Sequence, residues 1–404
     1  MILTNNSKNA DPLGRYYTDP IVGSLLVNSI DIEPPSTVID LCVGKGALIE
    51  EAVRKWSDST FITVDIEKNS SPFSFNNPNN SQIFHYTENS LNLNLAERLG
   101  IKWGQADLAL CNPPYIRPKW NKQFFEILEE ANLSHVFQKK QDIPADMLFI
   151  AQNLRLLKKG GSLGLILPDG IITGEKYQSF RKTLCTNHRV SKVIELPRRI
   201  FKKTDAKAYI VVITKDIPDS DFITIQRLEE SGNLSPQLQI STESAIKRID
   251  YSYLVQSHKI GQQKKRSIGD VALEVFRGTY ISSERKSNNF PIFHTTDFLT
   301  NKRYVPANYK LTLEMQKNIQ GVIAIPGDIL IARVGRNFNK KICLVDTKKV
   351  AITDCILVLR VQPKYRLEVF SFLTSSSGGI ALEAISHGVG AKFITPKSLL
   401  ELKF

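Results

Sequence analysis

Short apolar runs, each closing on a polar or turn residue, recur through the first half of the chain. Thr37-Val38-Ile39-Asp40-Leu41, Phe61-Ile62-Thr63-Val64-Asp65, Ile83-Phe84-His85-Tyr86-Thr87 and Asp107-Leu108-Ala109-Leu110-Cys111 are four of them. Nearly continuous apolarity marks strands covered on both faces, as in a parallel sheet. Between and around them the spacing turns helical, at Ile21, Val22, Leu25, Leu26 and Val27, from about Leu48 to Trp56, and from Ala145 to Leu157. Thr18 or Asp19 is the expected N-cap of the first helix, with Pro20 at its first position. Leu163 to Pro168 reads as a further buried strand. Val193-Ile194-Glu195-Leu196 and Tyr209 to Ile213 read as an antiparallel pair at the sheet edge. The pattern predicts an α/β chain with a doubly wound parallel sheet and ligand groups at the carboxyl ends of its strands.

The pattern changes after this. Residues 214–258 mix acids, Ser, Pro and Gln and read as a linker. Beyond them come short strands and turns: Ser267 to Val271, Pro326 to Gly335, and Ala351 to Leu359. The division expected is a first domain over 1–225, a linker over 226–260, and a smaller mixed α+β domain over 261–404. A chain of 404 residues is long enough for two cores. Charge follows the same division. Residues 1–250 hold 30 Lys and Arg against 29 Asp and Glu, whereas residues 251–404 hold 23 against 11, so nearly all of the net +13 lies in the last part. Such a concentration favours a polyanionic partner, nucleic acid above all. Cys42, Cys111, Cys185, Cys343 and Cys355 are scattered without a Cys-x-x-Cys pair, which argues against structural zinc or a disulfide framework and fits a reducing cytoplasm. No stretch approaches the length of a membrane span, and Met1 to Asn6 lack the order of a signal peptide.

Candidate chemistry gathers at Asn112-Pro113-Pro114-Tyr115, where an apolar strand meets two prolines. The prolines fix φ at successive positions and hold the Asn112 amide at a set angle. A base amine can donate to that amide's oxygen and to a neighbouring carbonyl, leaving its lone pair turned toward a methyl donor. Tyr115 offers a flat face for stacking, worth about 1–3 kcal/mol per base. A plain strand-ending turn is the competing reading. Upstream, Asp40-Leu41-Cys42-Val43-Gly44-Lys45-Gly46 forms a strand–turn–helix loop of the nucleotide-binding kind, without the third glycine of a dinucleotide site or the Lys-Ser/Thr of a phosphate loop. Asp65 closes the next strand where an acid accepts from ribose hydroxyls, and Glu88-Asn89 follow the third as candidates against an adenine ring. His85, His135 and His188 have no partners at triad or metal spacing.

In this order the motifs resemble those of the DNA adenine-N6 methyltransferases of the gamma arrangement, over about residues 14–210. The resemblance implies a Rossmann-like methyltransferase sheet, S-adenosylmethionine as cofactor, no metal, and an adenine flipped out of double-stranded DNA. Gly14 to Pro20 is similar to the family's first cofactor segment, which adds Tyr17 and Thr18 to Asp40, Cys42, Gly44, Gly46, Asp65, Glu88, Asn89 and Asn112 as cofactor contacts. Glu88-Asn89-Ser90 stands where the family usually has Asp-Phe. Asn112, Pro113, Pro114 and Tyr115 become catalytic, with Phe201 packing beside the base; a hairpin with one aromatic in its core is the alternative for Phe201. Residues 260–404 resemble the target recognition domains of type I restriction specificity subunits, most specifically at Gly327-Asp328-Ile329-Leu330 before Arg333-Val334-Gly335. Lys202, Lys203, Arg277, Arg333, Arg336, Lys340 and Lys341 are the candidate DNA contacts, with Gly388 to Lys392 a candidate DNA-facing loop. A cognate restriction endonuclease acting on the same site is the implied partner. The alternatives are cytosine-N4 methylation, methylation of a protein glutamine or of RNA, and a non-catalytic DNA-specificity subunit.

Overall fold

The computed structural model describes residues 17–68, 82–137, 143–198, 200–201, 207–218, 222–255, 266–299, 302–317, 319–335, 337–387 and 392–404. The chain divides into two units, Met1–Tyr251 and Ser252–Phe404.

The first unit is built on a nine-stranded sheet. Its strands are β1 (Thr37–Asp40), β2 (Thr60–Asp65), β3 (Gln82–Thr87), β4 (Ala106–Cys111), β5 (Leu157–Pro168), β6 (Arg189–Glu195), β7 (Ala208–Thr214), β8 (Phe222–Arg227) and β9 (Leu238–Ser241). Their order across the sheet is β3-β2-β1-β4-β5-β7-β6-β8-β9. β1 to β5 run parallel, and β7 is antiparallel to both β5 and β6. The order reverses between β1 and β4, and at such a switch point the loops leaving two adjacent parallel strands part and open a crevice at their carboxyl ends. The register there is tight. Asp40 lies opposite Leu110, so the turn after β1 meets the residues that follow β4. At the other end Asp107 accepts from Thr37 N at 2.8 Å, tying the start of β1 to β4.

Helix α1 (Pro20–Ser29) starts as its sequence predicts. Asp19 is the cap, its carboxylate accepting from Ile21 N at 3.0 Å. Helix α2 (Ala47–Lys55) follows the turn after β1. Val22, Leu26, Ile30, Ile49 and Ala52 bring both helices into one apolar cluster with Val38, Phe61 and Leu110 of the sheet. Burial of side chains of this size contributes about 1.5–3 kcal/mol each.

Two expectations need correction. The β6–β7 pair is antiparallel as expected but is not the edge, because β8 pairs parallel with β6 and β9 continues the sheet. Residues 226–251 are therefore part of the first unit and not a linker: β9 and a helix, α3 (Thr242–Lys247), are built from them. A buried arginine fastens this end. Arg181 donates to the carbonyls of Ile171, Gly174, Ile246 and Lys247 at 2.6–3.0 Å. β5 also starts earlier than its apolar core suggests, directly after the helix Ala145–Leu156.

The second unit is mixed α+β. A four-stranded antiparallel sheet carries Ala272–Arg277, Ile356–Val361, Ile329–Ala332 and Ile342–Leu344 in that order. A three-stranded sheet carries Ile292–Phe293, Val350–Ile352 and Ile323–Ala324. Helices Arg366–Thr374 and Ser376–Ala384 contribute Phe370, Leu373, Ala381 and Leu382 to the core that contains Ile329, Leu357 and Leu359.

Candidate active site

The glycine turn after β1 is shaped by two left-handed residues, Gly44 at φ 53° and Gly46 at φ 84°, where a side chain would be strained. Asp65, at the end of β2, braces the turn: its carboxylate accepts from Gly44 N at 2.9 Å and from Glu67 N at 3.0 Å. Each carboxylate oxygen keeps a further lone pair for a ligand hydroxyl. Tyr17 lies over the turn, with Lys45 Nζ 4.7 Å from its ring centre. Asp40 is buried, and its carboxylate accepts from Cys42 N at 3.0 Å. Burial pushes its pKa up to about 7, against the pull of that N–H and with a smaller push from Asp65.

Asn112 emerges one strand away. Its Nδ2 donates to Thr18 Oγ1 at 3.0 Å. The Tyr115 hydroxyl lies 3.4 Å from Asn112 Oδ1 and 3.3 Å from the Ile166 carbonyl of β5. Cys42 Sγ is 3.2 Å from the Asn112 carbonyl and 3.2 Å from Cys111 Sγ, and burial raises its thiol well above the ordinary range. Segments far apart in sequence thus meet at one point: Tyr17 and Thr18 before α1, the turn after β1, the acid that closes β2, and the tetrapeptide after β4. Among the described residues no His, Cys, Asp and Glu cluster could hold a metal ion.

Residues 1–283 match the family described as N-6 DNA Methylase. The chain belongs to this family. It is 23% identical to the type I restriction enzyme MjaVII methylase subunit of Methanocaldococcus jannaschii, over 51% of this chain and 37% of that subunit. The match therefore spans little more than a third of that relative's length. Among solved structures it is similar to the type IIG restriction endonuclease BpuSI, with TM-score 0.51, 13% identity, and coverage of 97% of this chain and 59% of that one. At this identity the likeness speaks for the fold alone.

Several of the residues expected at an N-6 methylase site also make contacts within the protein. Glu88 forms an ion pair with Arg98 at 3.1 Å, and Asn89 Oδ1 accepts from Leu91 N at 3.0 Å. Phe201 is 2% exposed within the apolar cluster that holds Val22 and Leu26, as a core aromatic rather than a ring facing a cleft. Gly14 to Tyr16, Lys202, Lys203, Arg336 and residues 388–391 lie outside the described residues. In the second unit Arg277 and Lys340 are exposed. Arg333 Nε donates to the Asp354 carbonyl at 3.0 Å and Lys341 Nζ to that of Thr295 at 2.9 Å, so both are partly committed to holding loops. Asp328 of the Gly327-Asp328-Ile329-Leu330 motif is buried. It accepts from Ile325 N at 2.8 Å and binds Arg360 through both oxygens, at 2.9 and 3.0 Å. That motif builds the fold.

Sequence reasoning missed two residues at this site. Ile66, directly after Asp65, is 58% exposed, an apolar surface beside a ribose-type acid. The signal was an apolar residue just past the strand's closing acid. Asp146 is buried where Ala145 N donates to the Ile116 carbonyl at 2.9 Å, just past the Asn112–Tyr115 tetrapeptide. Burial raises its pKa to about 6, against Met147 N–H and the nearby Arg117 and Lys176.

Proposed function

We propose that the chain is a DNA methyltransferase that methylates the N6 amine of adenine in double-stranded DNA, with S-adenosylmethionine as cofactor. The observation that carries this reading is Asn112-Pro113-Pro114-Tyr115 at the switch point, beside a glycine turn braced by Asp65. Membership of the N-6 DNA methylase family favours adenine over cytosine and over a protein amide.

The residues present fit the cofactor. The left-handed Gly44 and Gly46 let backbone approach a ligand closely, Asp65 offers acceptors for ribose hydroxyls, Ile66 offers an apolar face to a purine, and Asp40 carries a carboxyl able to ionise near neutral pH. Tyr17 and Cys42 border the same turn. S-adenosylmethionine supplies, when bound, a methyl group on a positively charged sulfur.

The chain's own groups prepare the nucleophile. Asn112 Oδ1 and the Pro113 carbonyl accept the two hydrogens of the adenine amine, which keeps its lone pair directed out of the hydrogen-bonded plane. Pro113 and Pro114 hold those acceptors rigid, so little entropy is lost when the amine docks. Tyr115 stacks on a base flipped from the duplex, offsetting an unstacking cost of a few kcal/mol. Phe201, buried in the apolar cluster, is read as a core aromatic.

The second unit is read as the target recognition domain, with the exposed Arg277 and Lys340 as contacts to DNA phosphates. The charge division, 23 cations against 11 acids beyond residue 250, supports that reading. The biological setting inferred is a restriction-modification system, with a cognate endonuclease acting on the same site. Incubation with tritiated S-adenosylmethionine and DNA free of adenine methylation tests the proposal. Label on N6-methyladenine supports it, and label elsewhere or nowhere refutes it.

A further inference from the structure

Within the second unit, two guanidinium groups lie at one end of the four-stranded sheet without a counter-charge. Arg366, the first residue of the helix Arg366–Thr374, folds over Gly327: a Cβ added to that glycine would fall 2.5–2.7 Å from both terminal nitrogens. Its Nε is buried and has no hydrogen-bond partner. Arg303 comes to the same end. Its carbonyl accepts from Leu344 N at 2.8 Å, and Gly327 N donates to the neighbouring Val345 carbonyl at 2.7 Å. The Arg303 guanidinium carbon lies 5.4 Å from the Phe370 ring centre and 5.6 Å from that of Tyr304. Phe370 stands one turn after Arg366 on the same face of the helix, so the two arginines are neighbours.

The ion pairs of this unit leave both out. Among the described residues they are Arg285 with Asp297, Lys310 with Asp346, Arg360 with Asp328 and Glu274, and Lys392 with Glu383. Asp346 Oδ1 is also buried without a hydrogen-bond partner, but no ion pair joins it to Arg366. A charged group taken partly out of water without a partner is unfavourable. Guanidinium tolerates this best, being weakly hydrated, and its planar fork of donors matches two oxygens of one phosphate. Packing on the Gly327 backbone and on Phe370 holds the two forks beforehand, which lowers the entropy lost when an anion docks.

We propose that Arg303 and Arg366 form an anion site for the phosphate backbone of DNA. This rests on the reading of the second unit as a DNA-binding domain, and adds a contact that no motif singled out. Its place in the sheet matters. At one end Arg277 pairs with Leu357, Ala332 pairs with Ile356, and Ala332 N donates to the carbonyl of Lys341, next to Lys340. At the other end Ala272 pairs with Val361 and Ile329 with Leu344, beside Arg303 and Gly327. At about 3.3 Å per residue, the ends of Ala272–Arg277 are about 17 Å apart, the rise of about five base pairs. A duplex lying along the strands meets Arg277 and Lys340 at one end and the arginine pair at the other. Arg266 and Lys364, 4.5 and 4.7 Å from the ring centre of Tyr365, continue the positive charge beside Arg366.

The test uses the full chain as wild type, Arg303→Gln, Arg366→Gln and the double variant, with fluorescence anisotropy of a labelled duplex across a salt series. Each single variant should lower the log–log slope by about 0.9 and the double variant by about 1.8. Thermal unfolding followed by circular dichroism is the second measurement. Arg366→Gln should melt no lower than wild type, since no internal partner is lost. Binding of inorganic phosphate and of poly-glutamate to the same four proteins separates the sources of the anion. An unchanged slope overturns the proposal. With a lower melting point it makes Arg366 a structural group served by Asp346. With a loss confined to phosphate or to poly-glutamate, it assigns the site to a free anion or to an acidic protein. A wild-type chain that binds no duplex would instead remove the DNA-binding reading on which the proposal rests.

Discussion

Replacing Asp40 by Asn should make the first unit more stable at alkaline pH, by an amount the structure sets. Asp40 is 1% exposed, and burial lifts its pKa from 3.8 to about 7. At about 1.4 kcal/mol per pH unit between the two values, ionised Asp40 is disfavoured in the fold by about 4 kcal/mol. The sign follows from the proton count. Between pH 4 and 7 the native state keeps the proton and the unfolded state does not, so stability from this group is full below the unfolded pKa and lost as pH rises through the native one. From pH 5 to pH 8 the loss is about 3 kcal/mol. Asn keeps an acceptor for Cys42 N–H but does not titrate, so the difference between wild type and variant reports chiefly on the carboxyl. All three tryptophans, Trp56, Trp103 and Trp120, lie in the first unit, and urea unfolding followed by their fluorescence reports on that unit alone. The gap between the two proteins should move by about 3 kcal/mol between pH 5 and pH 8, in favour of the variant at pH 8. Parallel pH profiles would refute the reasoning, because they would mean that the carboxyl ionises as freely in the fold as in the unfolded chain.

Other predictions concern the amide, the buried arginine and the basic unit. Asn112→Ala should abolish methyl transfer yet leave S-adenosylmethionine affinity within about threefold by calorimetry, since its amide is assigned to the substrate amine; transfer near the wild-type rate would remove the assignment. Arg181→Met should destabilise the first unit by about 3–5 kcal/mol in the same urea assay, because four carbonyl oxygens lose their donor inside the protein. DNA affinity of the full chain should fall with salt, and each phosphate contact removed should reduce the log–log slope by about 0.9. Arg277→Gln with Lys340→Gln should therefore lower it by about 1.8 in fluorescence anisotropy with a labelled duplex, and an unchanged slope would mean that these cations face only solvent.

The central sheet was legible because parallel strands buried on both faces write their position directly in the sequence. Val38-Ile39, Phe61 to Val64 and Leu108 to Cys111 are apolar runs that the fold buries. The start of α1 was legible for a local reason too, since Asp19 and Pro20 act within one turn. The outer strands were not. In β8, Ile223 and Ile225 alternate with Phe222 and Thr224, and acids, Ser and Pro flank the segment, so it has the composition of a linker. Alternation between Phe222 and Ile225 was the available signal. Phe201 shows a different limit: a motif position names an aromatic but cannot say whether its ring faces a cleft or the core. The basic turns of the second unit carry the same ambiguity, because Arg333 and Lys341 spend hydrogen bonds on carbonyls that only tertiary folding brings near. The Thr18–Asn112 bond joins residues 94 apart and depends on the β1–β4 register, which no local pattern encodes.

The most direct measurement is nucleoside mass spectrometry on DNA free of methylated bases after incubation with the full chain and S-adenosylmethionine. The account predicts N6-methyldeoxyadenosine with the wild-type chain and none with Asn112→Ala. Accumulation of N4-methyldeoxycytidine instead, or no methylated nucleoside at all from a chain that binds the cofactor, would contradict it.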